Sequence, residues 1–371
     1  MKEKKMNSPQ KLFTFILIAV LLVSTIGFAA GGLQLDTKAD TNSGEIGDNT
    51  DNTDDNKQNT EDNTDETLTP PADDENKVFY YHPMTGVKTE EDKSTSLPLG
   101  FVVDTLMPQY GLSSADIAFE FPIENGQSRF LYYTTNRASL WKVGTVKPTR
   151  DYISFTSNFI GGVVVSYGND DIVKYSAWDA SKINLDISKI SDYYYVENTL
   201  YIYTGEELVN NAINNSDTVE ETTYKNTPFN FSDTEVVGNL SAKYVSLPYS
   251  DANKTEFFYS LDTGKYTLYK SANKTVDMLN GKSVVFKNLF ILYANTTTYE
   301  NSYGTELVPD TTAGGSGLYV SDGYATEIRW SINDLGELEF KTLSGDILSV
   351  NRGNSYVGYF KASAANKVKY N

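Results

Sequence analysis

The strongest constraint on the fold is an alternation. Across residues 116–121, apolar Ile117, Phe119 and Phe121 alternate with Asp116, Ala118 and Glu120. That is the period of a strand with one buried face, and it puts both carboxylates on the face opposite the core. A second run, 129–135, follows across Pro122 and the turn dipeptide Asn125-Gly126, so the pair reads as a hairpin. The loop after it carries Lys147 and Arg150, just ahead of a short helix expected over 151–158 with Thr149 as N-cap.

The same reasoning extends along the chain. A buried strand is expected over 162–166 and another over 199–203, and Thr204-Gly-Glu-Glu207 fits a capping box opening a helix to about Asn214. From about Glu235 strands and tight turns take over, at 243–247, 256–260, 265–270, 283–294, 317–320, 326–332, 338–341 and 356–361. Asp262-Thr-Gly264, Asp322-Gly323 and Ser344-Gly-Asp346 supply hairpin turns. The expected class is α+β: an N-terminal mixed α/β domain over 78–232, a mainly antiparallel β domain over 233–365, and a tail over 366–371. With 27 Tyr and 18 Phe, and many Thr and Val, composition favours strands throughout.

Charge locates the rest. The 371-residue chain has a formal net charge of -18, and between Gln34 and Lys77 acidic residues far outnumber Lys38, Lys57 and Lys77. So few apolar side chains occur there that 34–77 reads as a disordered acidic tether. The rest is moderately acidic, which argues against a nucleic-acid partner because phosphate contacts need clustered Lys and Arg. Ahead of the tether, Lys2, Lys4, Lys5 and Lys11 precede an apolar run from Leu12 to Ala30. Residues 1–33 therefore read as a signal peptide or signal anchor, with the remainder outside the cytoplasm. The run approaches the roughly 20 residues needed to cross a bilayer, which favours membrane anchoring by 12–30 over secretion after cleavage.

The chain has no cysteine, which excludes disulfides, a Cys nucleophile and thiolate metal sites. His82 is its one histidine and lies at the very start of the fold, so neither a triad nor a multi-His metal site is expected. Gly168-Asn-Asp-Asp171 offers oxygen ligands but reads as a polar turn. No metal or cofactor is expected. The chemistry then rests on a cleft of charged residues. Asp104, Asp116, Glu120 and Glu124 supply carboxylates, and Arg129, Lys147 and Arg150 supply cations that suit an anionic ligand.

Several motifs in order resemble the YerB-like family of inferred bacterial lipoproteins, envelope proteins built on a two-part domain of unknown function. They are His82-Pro-Met-Thr-Gly86, Gly111-Leu-Ser-Ser-Ala-Asp-Ile117, Glu124-Asn-Gly126, Ser128-Arg-Phe130, Val143-Gly144 through Arg150, Gly314-Gly-Ser-Gly-Leu-Tyr319 and Ile328-Arg-Trp330. The chain departs from that pattern in having Lys147 where Arg is usual, and in lacking the lipobox Cys and the histidines near Ser166 and before Asn198. The resemblance implies an envelope address and a fold outline. The resulting expectation is a membrane-tethered binding or scaffolding protein whose partner is a cell-wall polymer or an envelope protein. Two other readings stand beside it. One is a cell-wall glycan hydrolase using paired carboxylates; the other is a partner docked on a strand edge of the β-rich half.

Overall fold

The computed structural model describes residues 78–168, 184–198, 201–216, 227–301 and 304–371. The leader, the tether, residues 169–171 of the polar turn and the first two residues of the strand expected over 199–203 lie outside them. Among the described residues no helix is long and apolar enough to cross a membrane.

The described chain is mainly β, a correction to the α+β expectation, since its helices are few and short. In the N-terminal half the strands are β1 (Leu99–Asp104), β2 (Ile117–Pro122), β3 (Ser128–Thr134), β4 (Val163–Ser166) and β5 (Asn184–Asp186). The expected hairpin is β2 and β3, joined through Asn125 and Gly126 at φ 57° and 66°. Only residues that tolerate positive φ fit that turn. The helix expected over 151–158 breaks into α1 (Asp151–Ser154) and α2 (Ser157–Ile160). Thr156 Oγ1 donates to the Ile153 carbonyl at 2.9 Å and competes with the helical ladder. Thr149 is not the cap; Arg150 holds that position, and Thr149 Oγ1 lies 2.8 Å from Ser154 Oγ. α3 (Glu206–Asn214) forms as read, but from Gly205, while the Thr204 hydroxyl donates to the Tyr193 carbonyl.

The C-terminal half supplies β6 (Tyr244–Pro248), β7 (Lys254–Ser260), β8 (Lys265–Lys270), β9 (Asn288–Ala294), β10 (Thr296–Asn301), β11 (Gly304–Pro309), β12 (Gly315–Ser321), β13 (Tyr324–Ile332), β14 (Leu338–Thr342) and β15 (Ser355–Lys361). The run expected as one strand over 283–294 is divided. Val285–Phe286 pairs with β8, and after Lys287 the chain enters β9 beside β12.

Strands from before and after residue 232 share one sheet. Its order is Leu240–Ser241, β13, β12, β9, β15, β2, β3, β1, β4, β5, with β14 on β13. β15 sits at the junction, parallel to β9 on one side and to β2 on the other, with Gly358 opposite Glu120. A smaller sheet runs β8, β7, β6 and Lys369–Tyr370.

Both faces of the large sheet are buried. One carries Ile117, Phe119, Phe121, Leu131, Tyr133, Val357 and Tyr359, covered by Tyr152, Ile153 and Phe159 of α1 and α2 together with Phe229, Leu338 and Phe340. The other carries Ala118, Phe130, Tyr132 and Tyr356, covered by Val245, Leu247, Phe257 and Leu268 of the small sheet and by Val209 and Ala212 of α3. Each fully buried aromatic contributes about 1.5–3 kcal/mol of transfer free energy, so this three-layer arrangement commits both faces of β2 to the core.

Candidate functional site

Period 2 does aim Glu120 away from Phe119 and Phe121, but the small sheet lies on that side. Glu120 is 0% exposed, which corrects the solvated face expected for it. Such a carboxylate needs partners, and it has them. Ser128 Oγ donates at 2.5 Å, the Thr255 hydroxyl at 2.8 and 2.9 Å, Lys270 Nζ at 2.8 Å and the Tyr356 hydroxyl at 2.8 Å. Burial pushes the Lys270 ammonium below its ordinary value, and the Glu120 charge opposes that. Burial also drives the Tyr356 phenol well above its usual range. Lys270 was legible in phase, since on β8 it continues the inward face of Tyr266 and Leu268.

The other candidates separate into pairs. Asp104 meets Lys147 at 3.2 Å at the end of β1. Glu124 is gripped by Arg150 through two contacts, at 2.7 and 2.8 Å, and the guanidinium side chain is only 2% exposed. Burial opposes ionisation of Glu124, but the Arg150 bonds and charge outweigh it and hold the carboxyl below its usual range. Arg129 donates to the Pro148 carbonyl at 2.5 Å. Asp116 accepts from the Thr135 amide at 2.8 Å and hydroxyl at 3.1 Å, with His82 Nε2 3.7 Å away. His82 Nε2 is also 2.8 Å from Thr135 Oγ1, and its Nδ1 accepts from the Met84 amide. Burial raises Asp116 and lowers His82 from their ordinary values. Glu120, Asp104, Glu124 and Asp116 thus each meet a different basic side chain, with Arg129 adding its charge near Glu124.

A groove of about 550 Å³ opens at the seam between the halves. The β2–β3 turn, with Glu124, Asn125 and Gln127, forms one wall. Tyr249, Phe360, Glu306, Lys361 and Lys367 form the other. Of the candidate residues, Glu124 lines it. Lys361 and Lys367 are exposed and enter no ion pair with the described residues. No periodic signal marks them, because the groove exists only once β2 and β15 are paired.

Known proteins match both parts of the chain. Residues 84–227 match the N-terminal domain, and residues 245–357 the C-terminal domain, of the family described as "Protein of unknown function (DUF3048)". YerB, an inferred lipoprotein of Bacillus subtilis (strain 168), is 26% identical over 263 residues, covering 67% of this chain and 77% of its own. The crystal structure of YerB from Bacillus subtilis superposes with a TM-score of 0.66 at 22% identity, over 79% of this chain and 99% of that one, a likeness of fold. With both domains matched in order, this chain belongs to the DUF3048 family, the YerB-like proteins.

Proposed function

We propose that this is an extracytoplasmic, membrane-associated envelope protein that binds an anionic component of the cell wall in the seam groove. The description of YerB as an inferred lipoprotein supports the address, as does the basic and then apolar start of this chain. One observation carries the binding reading: Lys361 and Lys367 line the groove, exposed and free of ion pairs among the described residues. Tyr249, which is half-buried, lines the groove beside them. Hydrolysis is the weaker reading because it needs two carboxyl groups about 5–9.5 Å apart across an open site. Here Glu120 is sealed in the core and Glu124 is held by Arg150.

The test is pull-down of the detergent-solubilised full chain on purified peptidoglycan with attached anionic polymer. Saturable, salt-sensitive binding, reduced at least about tenfold in Lys361→Glu/Lys367→Glu, is expected for charge-based recognition. Absence of binding, or binding indifferent to the double substitution, overturns the assignment to this groove.

A further inference from the structure

The buried cluster around Glu120 brings a lysine amine and an asparagine amide to one hydroxyl, Ser128 Oγ. Asn253 and Lys270 belong to one hairpin: Thr255 stands opposite Lys270 in the β7–β8 ladder, and Asn253 is two residues before Thr255 on the same face. Asn253 is 1% exposed. Its Nδ2 donates to Ser128 Oγ at 3.1 Å and to the Gly126 carbonyl at 3.3 Å. The second contact fixes the amide's orientation, because a flip would set two carbonyl oxygens against each other. Asn253 Oδ1 is left buried without a hydrogen bond. Lys270 Nζ meets the same hydroxyl, 3.4 Å from Ser128 Oγ, and donates to Glu120 at 2.8 Å and to Thr255 Oγ1 at 2.7 Å. The Phe130 and Tyr249 rings, 5.6 and 5.7 Å from Nζ, help to exclude water.

We propose that this cluster makes an internal amide cross-link between Lys270 Nζ and Asn253 Cγ, with Glu120 as the proton carrier and Ser128 as the relay. Lys270 gives a proton to Glu120 Oε1, and the freed lone pair attacks Asn253 Cγ, forming the Nζ–Cγ bond. A second Nζ proton reaches Nδ2 through Glu120 and Ser128, the Cγ–Nδ2 bond breaks, and ammonia leaves. The first proton stays on Glu120. No oxidant, reductant or other co-reactant is consumed. The product replaces a buried ion pair, costly to desolvate, with an uncharged amide. Glu120 and Ser128 come from the N-terminal half and the reacting pair from the C-terminal half, so the chemistry waits until the halves have packed.

Mass spectrometry of the purified full chain tests this. The expected intact mass is about 17 Da below that of the same chain with Asn253→Ala, after correction for the substitution, from the ammonia lost. Trypsin should leave Lys270 uncut and yield a branched peptide joining the segments that carry Asn253 and Lys270. Lys270→Met and Glu120→Gln should each abolish the branched peptide. Separate Asn253 and Lys270 peptides from wild type, with normal cleavage after Lys270, overturn the proposal even if the variants fail to fold. A branched peptide persisting in Glu120→Gln overturns the role given to Glu120.

Discussion

Tyr356 donates its hydroxyl to Glu120 Oε2 at 2.8 Å, and its ring reaches that position by lying back over Gly358, two residues further along β15. A Cβ on Gly358 would stand 2.5 Å from the Tyr356 hydroxyl. The glycine therefore makes room for the one phenol that joins the last long strand of the sheet to the buried carboxylate.

Gly358→Ala should lower stability by about 1–3 kcal/mol, the usual range for overpacking a core, read as a shift in the denaturant midpoint. Tyr356→Phe alone should cost about 1 kcal/mol through the lost hydrogen bond. If the alanine acts by displacing that hydroxyl, the double variant should be clearly less destabilised than the two single effects together. Additive effects would show that Gly358 has a different role.

Asp277 ties the β8–β9 connection to the Gly111–Ser114 turn. It is 0% exposed and accepts from the Gly111 amide at 3.0 Å, the Ser113 amide at 2.8 Å, the Ser113 hydroxyl at 2.7 Å and the Leu279 amide at 2.9 Å. Asp277→Ala leaves several buried donors unmet and should cost about 3 kcal/mol or more. Asp277→Asn, which keeps one acceptor oxygen, should cost less. Equal losses in urea titration would argue that packing, and not hydrogen bonding, is what Asp277 supplies.

His82 should make the fold sensitive to mild acid. Burial holds its imidazole below the ordinary 6.5, against the pull of Asp116, while Lys93 adds to the depression. As pH falls through 6.5 the unfolded chain takes up a proton that the folded chain still refuses. Stability is thus lost from about pH 6.5 downward and levels off below the depressed folded value. His82→Asn should flatten the melting temperature between about pH 7.5 and 5.5. Asp116, raised by its own burial, contributes with the opposite sign, so Asp116→Asn should steepen the wild-type loss. A wild-type melting temperature constant across that interval would refute the assignment.

The hairpins were legible because their signals are local. Period 2 located β2, β3, β8 and β15, and Asp262-Thr-Gly264 and Asp322-Gly323 turn the chain between β7 and β8 and between β12 and β13. Glu120 shows where local signals stop. Alternation identifies the two faces of a strand, but it does not say whether a second sheet covers the polar one. The β6–β8 layer comes from residues more than a hundred positions away, and it turns an apparent solvent face into a core face. Lys270 carried the complementary sign, a charge in phase with Tyr266 and Leu268. Read together, an acid on the outer phase of one strand and a lysine on the inner phase of another describe a buried pair. Neither strand alone does.

The place of β15 also sets an order of events in time. A chain emerging from its N-terminus has β1, β2, β3 and β4 early, yet the free edge of β2 is satisfied only when Ser355–Lys361 arrives and bridges it to β9. Until then the growing polypeptide carries an apolar strand edge with no neighbour, the kind of surface that invites aggregation or a chaperone. Stopping synthesis before residue 355 would therefore split the main sheet in its interior instead of trimming its rim. Completion of the sheet waits for residues 355–361, after the two strands that they join have been made.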